Sequence, residues 1–98
     1  MPITSARVAT PHASRYLQQL CKLWSHKFAV DFTAESGTVA LQPGPLTLAA
    51  SEGTLLLTLD VADPEQVTRM QQVVAEHVDR SAFREGALVY DWRAVEAG

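Results

Sequence analysis

Cysteine and long apolar runs are scarce in this sequence, and each shortage excludes a class of protein. One cysteine, Cys21, is present in 98 residues, so no internal disulfide can form and a reducing compartment is expected. No apolar stretch approaches the roughly 20 residues of a membrane-spanning helix, and the first residues lack the apolar run of a signal peptide. We therefore expect a cytoplasmic protein with no membrane partner.

Positive charge is also in short supply. Eight Lys and Arg residues are outnumbered by eleven Asp and Glu, which gives a net charge of -3 and an isoelectric point near 5.5. Because nucleic-acid binding depends on cationic side chains that neutralise phosphates, this composition argues against a nucleic-acid partner. The length predicts one domain, residues 1–98, and the hydrophobic fraction of 47% is enough for one modest core.

Short periodic segments separated by turn signals predict the element order β-α-β-β-β-β-α-β. Thr10 and Pro11 suit the cap and the first position of a helix that runs to about Phe28. Asp63 and Pro64 begin a second helix, which ends near residues 80–82. A turn is expected at 35–37. Strands are predicted at 3–9, 30–33, 39–41, 46–50, 55–61 and 88–93.

Both predicted helices carry an apolar stripe. In the first helix the stripe is Ala13, Leu17, Leu20, Cys21, Trp24 and Phe28, and in the second it is Val67, Met70, Val74 and Val78. Short strands joined by short loops favour an antiparallel meander, whose apolar face needs a cover. We therefore predict an α+β two-layer sandwich, a curved antiparallel sheet covered on one face by two helices. One repeat of the TATA-binding-protein fold and helix-grip folds share this order, an analogy that transfers no function.

Three residues of the first helix, His12, Cys21 and His26, suggest a metal site, but helical geometry opposes it. His12 and His26 are separated by about 21 Å along a helix, and Cys21 and His26 point roughly 140° apart around it. Cys21 also falls within the apolar stripe. We therefore predict a buried thiol, no metal and no cofactor.

The outer face of the first helix is the first candidate site. His12, Arg15, Gln19, Lys22 and His26 recur every three or four residues and line one stripe, which we call the basic stripe. In an acidic protein this local reversal of charge suits a small anionic ligand or an acidic protein partner. Charged helix faces are also commonly just solvated, so both interpretations stay open.

The C-terminal quarter of the chain contains two candidate contact surfaces. Phe83, Arg84 and Glu85 lie where the helical period breaks, and together they suit a ligand-binding corner. The alternative is an ordinary helix end with Phe83 under the sheet edge. The first and last strands are expected at sheet edges, where Tyr90 and Trp92 are candidates for a homodimer contact.

Known catalytic motifs are absent from the sequence. It contains no G-x-S-x-G, no H-E-x-x-H, no C-x-x-C and no Walker loop. One alternative is a small enzyme, which requires His12, His26 or His77 to meet Arg84 and Glu85 in a cleft. Another is nucleic-acid binding through the curved sheet, which rests on fold analogy alone.

Three segments resemble one bacterial family. The runs RVATPHASRYLQQLCKLWSHKF (7–28) and FREG (83–86), together with Trp92, are similar to the family called domain of unknown function 2218, over about Thr4 to Arg93. The resemblance implies a fold unit that occurs alone or attached to other domains, with no established activity and no catalytic residues. It also implies an accessory role near siderophore or iron handling. We therefore expect a non-enzymatic binding or accessory domain.

Overall fold

The computed structural model describes residues 3–42, 44–82 and 88–95. Its elements follow the predicted order. They are β1 (Ile3–Ala9), α1 (Ala13–Trp24), β2 (Val30–Phe32), β3 (Ser36–Val39), β4 (Leu46–Ser51), β5 (Thr54–Asp60), α2 (Pro64–Ser81) and β6 (Arg93–Ala94). The strands form one six-stranded antiparallel sheet in the order β2-β3-β4-β5-β1-β6. The predicted α+β class, two helices against an antiparallel sheet, is confirmed.

Both helices lie on the same face of the sheet. On β3, the position of a Cβ at Gly37 points at the Cys21 sulfur of α1. On β1, the Thr4 hydroxyl accepts a hydrogen bond from Gln71 Nε2 of α2 at 3.1 Å. Gly37, Leu48, Leu57 and Ala6 are paired in register across the sheet, and Thr4 is two residues from Ala6. Because residues two apart in a strand point to the same side, the two contacts share a face.

The core fills the space between this face and the helices. Along β5, Leu55, Leu57 and Leu59 are fully buried while the residues between them are half-buried. The core side of α1 is Ala13, Tyr16, Leu17, Leu20, Cys21 and Trp24, and that of α2 is Met70, Val74 and Val78. Burial of a large aliphatic side chain stabilises a fold by about 1.5–3 kcal/mol, so these rows hold both helices on the sheet. The predicted apolar stripes are confirmed, with Phe28 and Val67 only partly buried at their ends.

Helix α1 begins later than predicted, after a turn at residues 11–12. The helix starts at Ala13 with His12 as its N-cap, not at Pro11. The Thr10 hydroxyl accepts from the His12 N–H at 3.1 Å, and the Thr10 N–H donates to Gly53 O at 3.0 Å. The first bond is local, and the second ties Thr10 to the turn between β4 and β5.

The other helix ends are closer to expectation. The α-helical part of α1 stops at Trp24, and a turn in which the Phe28 N–H donates to Trp24 O at 2.9 Å continues to the predicted end. At the start of α2, Asp63 Oδ1 accepts from the Glu65 N–H at 3.0 Å and Pro64 occupies the first turn. The predicted cap of α2 is therefore confirmed.

The turn predicted at 35–37 was wrong. Ser36 and Gly37 belong to β3, and the chain reverses earlier, where the Thr33 hydroxyl accepts from the backbone N–H groups of Glu35 and Ser36, each at 3.2 Å. A side chain at this strand position would meet the sulfur of Cys21, which explains the glycine. A glycine in a strand often marks such a close contact.

The last strand is much shorter than predicted. Only Arg93 and Ala94 pair with β1, and residues 88–92 form no strand. Their burial still alternates, with Leu88, Tyr90 and Trp92 packed against the core, because this segment lies against α2. The expectation that β1 is an edge was also wrong: β1 lies between β5 and β6, and the edges are β2 and β6.

The second face of the sheet carries a row of polar side chains, one from each strand. In sheet order the row is Asp31, Thr38, Thr47, Thr58, Ser5 and Arg93. These residues are exposed or half-buried, and their charges are one acid and one base at opposite ends. The row therefore lacks the cationic patch that phosphate binding requires.

No helix in the described residues is long and apolar enough to span a membrane.

Candidate functional site

A groove lies between the C-terminal end of α1 and one face of α2, and we call it the α1–α2 groove. Its volume is about 520 Å³, within the range of about 300–1,000 Å³ typical of small-molecule sites. One wall consists of Leu23, Trp24, Lys27, Phe28, Leu41 and Gln42. The other wall consists of Gln66, Arg69, Met70, Val73, His77 and Arg80 of α2.

The helical period explains why α2 presents these six residues together. They are spaced by one, three or four positions, which places them on one side of the helix, beside the buried stripe of Met70, Val74 and Val78. Met70 belongs to both sets, so the floor of the groove is continuous with the core. Phe28, which lines the groove, is partly buried and packs against the same core.

Positive charge surrounds the groove. Lys27, Arg69 and Arg80 line it, and all three residues are exposed. Within the described part of the chain none of them forms an ion pair, and none of the described lining residues is acidic. In a protein of net charge -3, this is a local reversal of sign that attracts anions.

His77 is held in a defined orientation on the α2 wall. Its Nδ1 lies 2.7 Å from Val73 O, and since a carbonyl only accepts hydrogen bonds, Nδ1 carries the proton. The imidazole ring also packs on the indole of Trp24, with ring centroids 5.2 Å apart and planes tilted by 41°. Nε2 has no hydrogen-bond partner among the described residues. The ring is therefore positioned, and one of its nitrogens is left for a ligand.

The basic stripe predicted from the sequence lies elsewhere. His12, Arg15, Lys22 and His26 are all exposed on the outer side of α1 and the turn that follows it. None of them lines the α1–α2 groove. The stripe stays a prediction as a contact surface for an anionic ligand or a partner.

The second predicted surface, Phe83, Arg84 and Glu85, lies outside the described residues. The proposed dimer residues Tyr90 and Trp92 are half-buried. The Tyr90 hydroxyl donates to Asp79 Oδ1 at 2.9 Å and also lies 3.3 Å from Ala75 O. Tyr90 therefore has an intramolecular role, joining the C-terminal segment to α2.

Cys21 is the buried thiol that the sequence predicted. Its side chain is fully buried in the core, and burial raises its pKa to about 11. A thiol with a raised pKa is a poor nucleophile and a poor metal ligand, because the thiolate performs both roles. Within residues 3–42, 44–82 and 88–95, no three His, Cys, Asp or Glu side chains come together as a metal site requires.

The groove contains groups suited to binding. Its described lining holds one histidine and no carboxylate, so it does not pair a histidine with an acid for proton transfer. The α2 wall could have been predicted from the sequence, since Gln66, Arg69, His77 and Arg80 follow a helical period. The position of Lys27 on the facing wall could not, because it depends on how the two helices pack.

The fold and the groove together define a small two-layer α+β domain with a site of ligand size. Residues 5–93 match a family described as an uncharacterised protein conserved in bacteria, domain of unknown function 2218. The chain belongs to this family, which confirms the resemblance seen in its sequence.

A solved structure shares the fold. The protein PA4090 from Pseudomonas aeruginosa, whose structure was determined by NMR, is 34% identical over 95% of this chain and 96% of that chain, with a TM-score of 0.79. The search of curated proteins finds no match. The description of the family names no ligand and no reaction, and the same holds for the description of PA4090. Neither relationship therefore supports the implied role in siderophore or iron handling.

Proposed function

We propose that this protein is a non-enzymatic binding domain whose α1–α2 groove takes a small organic anion with an apolar body. The observation that supports this most directly is the combination of an apolar floor with three cations, Lys27, Arg69 and Arg80, that have no ion-pair partner among the described residues. No described lining residue supplies a negative charge that would compete with the ligand.

The two parts of such a ligand have separate partners. Its apolar body covers Phe28, Met70 and Val73, and each Å² of apolar surface removed from water contributes about 25 cal/mol. Its anionic group meets the exposed cations, and an exposed ion pair contributes about 0.2–1 kcal/mol. The amides of Gln42 and Gln66 line the same groove and offer further hydrogen bonds. Apolar contact therefore provides most of the affinity, and charge provides selectivity.

A pair of probes that differ in charge alone tests the site. Naphthalene-2-sulfonate is a permanent anion with a flat apolar body, and naphthalene-2-sulfonamide has the same ring system without the charge at neutral pH. In NMR titrations of the labelled protein, the sulfonate is expected to shift amide signals of Leu23, Val73 and His77, and to bind more tightly than the sulfonamide. Shifts that cluster instead around Arg15 and Lys22 contradict the proposal and favour the basic stripe.

Matched double variants separate the groove from the general charge of the protein. Arg69→Gln/Arg80→Gln removes two positive charges from the groove, and Arg15→Gln/Lys22→Gln removes two from the basic stripe. The groove variant is expected to bind the sulfonate about two- to fivefold more weakly per substitution, and the stripe variant to bind like wild type. Equal losses in both variants overturn the assignment of the site.

The accessory role in iron handling is tested by a different probe at the same site. A ferric tris-catecholate complex is anionic and aromatic, so it meets the chemical requirements proposed for the groove. Selective broadening of the amide signals of Leu23, Val73 and His77, caused by the paramagnetic ferric ion, supports an iron-linked role. Binding of the sulfonate without binding of the ferric complex contradicts that role and retains the groove as an anion site.

A further inference from the structure

We infer that His77 makes ligand binding proton-linked, so that an anion enters the α1–α2 groove together with uptake of one proton at His77 Nε2. This inference rests on the proposed function, because it concerns the same groove. The property it adds is a pH dependence of ligand binding, which the cations of the groove do not provide by themselves. Arginine and lysine stay charged throughout the neutral pH range, whereas histidine changes charge near pH 6.5.

The fixed position of the imidazole is the first support. Nδ1 carries a proton because it lies 2.7 Å from the carbonyl oxygen of Val73, so the neutral ring has a bare lone pair on Nε2. A bare lone pair repels an anion. When Nε2 takes up a proton, the same atom becomes a hydrogen-bond donor on a positive ring. A charge-assisted bond of this kind is roughly twice as strong as a neutral one.

The charges around the groove explain why the proton and the ligand arrive together. Lys27, in the turn after α1, and Arg69 and Arg80 of α2 line the same groove as His77. An anion held by these cations favours the charged form of the imidazole. The Trp24 ring, 5.2 Å from the imidazole, also attracts the charged form through its π-face.

Two acids of α2 lie near His77 in the sequence. Glu76 is the preceding residue and is exposed, and Asp79 accepts the hydrogen bond of Tyr90. Neither lines the groove, so neither replaces the ligand as the partner of a protonated Nε2. The remaining polar lining groups, Gln42 and Gln66, are uncharged.

The experiment measures the affinity for naphthalene-2-sulfonate at about pH 5.5 and about pH 8, on either side of the histidine range. The sulfonate stays ionised at both values, so any change belongs to the protein. Wild type is expected to bind about three- to tenfold more tightly at the lower pH. His77→Gln is expected to lose this dependence, and His26→Gln, which removes an exposed histidine outside the groove, is expected to keep it.

A measurement on the wild-type protein tests the inference without requiring that a variant folds. The side-chain ¹⁵N signals of His77 report which nitrogens carry protons, with and without the sulfonate. Proton uptake at Nε2 on binding supports the inference. Binding that leaves Nε2 unprotonated at both pH values overturns it, as does a pH dependence that His77→Gln retains.

These results remain distinguishable from a failure of the proposed function. If the sulfonate binds in the groove with equal affinity at both pH values, the anion site is supported and the role of His77 is contradicted. If the sulfonate produces no shifts in the groove at either pH, the anion site itself is contradicted.

Discussion

The sulfur of Cys21 lies directly over Gly37. A Cβ built at residue 37 would be 2.7 Å from Cys21 Sγ and 3.5 Å from Leu17 Cδ2, so the absence of a side chain on β3 sets how closely α1 approaches the sheet. The packing of Cys21 of α1 therefore depends on the glycine at position 37 of β3. The fixed approach of α1 also positions its C-terminal end, which forms one wall of the α1–α2 groove.

Gly37→Ala is expected to destabilise the protein by about 1–3 kcal/mol, the usual cost of adding atoms to a tightly packed core. Cys21→Ala removes the sulfur, so the double variant is expected to lose less stability than the sum of the two single variants. Urea unfolding of all four proteins measures this coupling. Thr38→Ala, on the other face of the same strand, is the control. Additive effects of the two substitutions would show that the contact does not determine the packing.

Cys21 also predicts a loss of stability in alkaline solution. Burial raises its pKa from 9.0 to about 11, so the unfolded chain releases the thiol proton at lower pH than the folded protein does. The stabilising contribution is complete below about pH 9 and is lost as the pH rises through about 11, with a slope of at most about 1.4 kcal/mol per pH unit. Unfolding free energies at about pH 8 and about pH 10 are expected to differ less in Cys21→Ala than in wild type. An equal decline in both proteins contradicts the prediction.

Tyr90 joins the C-terminal segment to α2 through its hydroxyl. Burial, followed by the hydrogen bond and the charge of Asp79, raises the pKa of Tyr90 well above its ordinary value of 10.0. Tyr90→Phe is expected to cost about 1–2 kcal/mol, because it removes a bond to a half-buried carboxylate. Since the folded-state pKa is raised, the contribution of Tyr90 is present below about pH 10 and is lost above it.

The Tyr90 bond is tested by denaturation of Tyr90→Phe, Asp79→Asn and the double variant. The double variant is expected to be less destabilised than the two single effects predict, because both groups belong to one bond. In the Tyr90→Phe variant, the decline in stability above about pH 10 should be smaller than in wild type. An unchanged decline would assign the alkaline loss to other groups.

The groove cations are expected to matter for binding and not for folding. Arg69 and Arg80 have no ion-pair partner among the described residues and are exposed, so Arg69→Gln/Arg80→Gln should change the unfolding free energy by less than about 0.5 kcal/mol. A ligand that binds the folded state raises the melting temperature. The rise produced by naphthalene-2-sulfonate should shrink in this variant, and a large loss of intrinsic stability would instead give these arginines a structural role.

Much of the fold could be predicted because the signals are local. The capping side chain of Asp63 and the apolar stripe of α1 depend on residues within a few positions of one another. Errors arose where distant residues decided the outcome. Thr10 bonds to Gly53 and α1 starts only at Ala13, Gly37 lies in β3 beneath Cys21 of α1, and Tyr90 packs against α2 instead of extending a strand.

The sequence by itself determined the α+β class, the burial of Cys21 and the separation of α1 into an apolar and a polar side. Spacing along one element decides which side chains share a face, and this needs no knowledge of the rest of the chain. Only the tertiary structure decided which faces meet. The predicted basic stripe, with His12 and Lys22, faces outward, while the packing of Trp24 on His77 brings Lys27 across from the arginines of α2. The groove forms because two helices that are distant in the sequence pack on one core. The spacing of residues within either helix does not predict this packing.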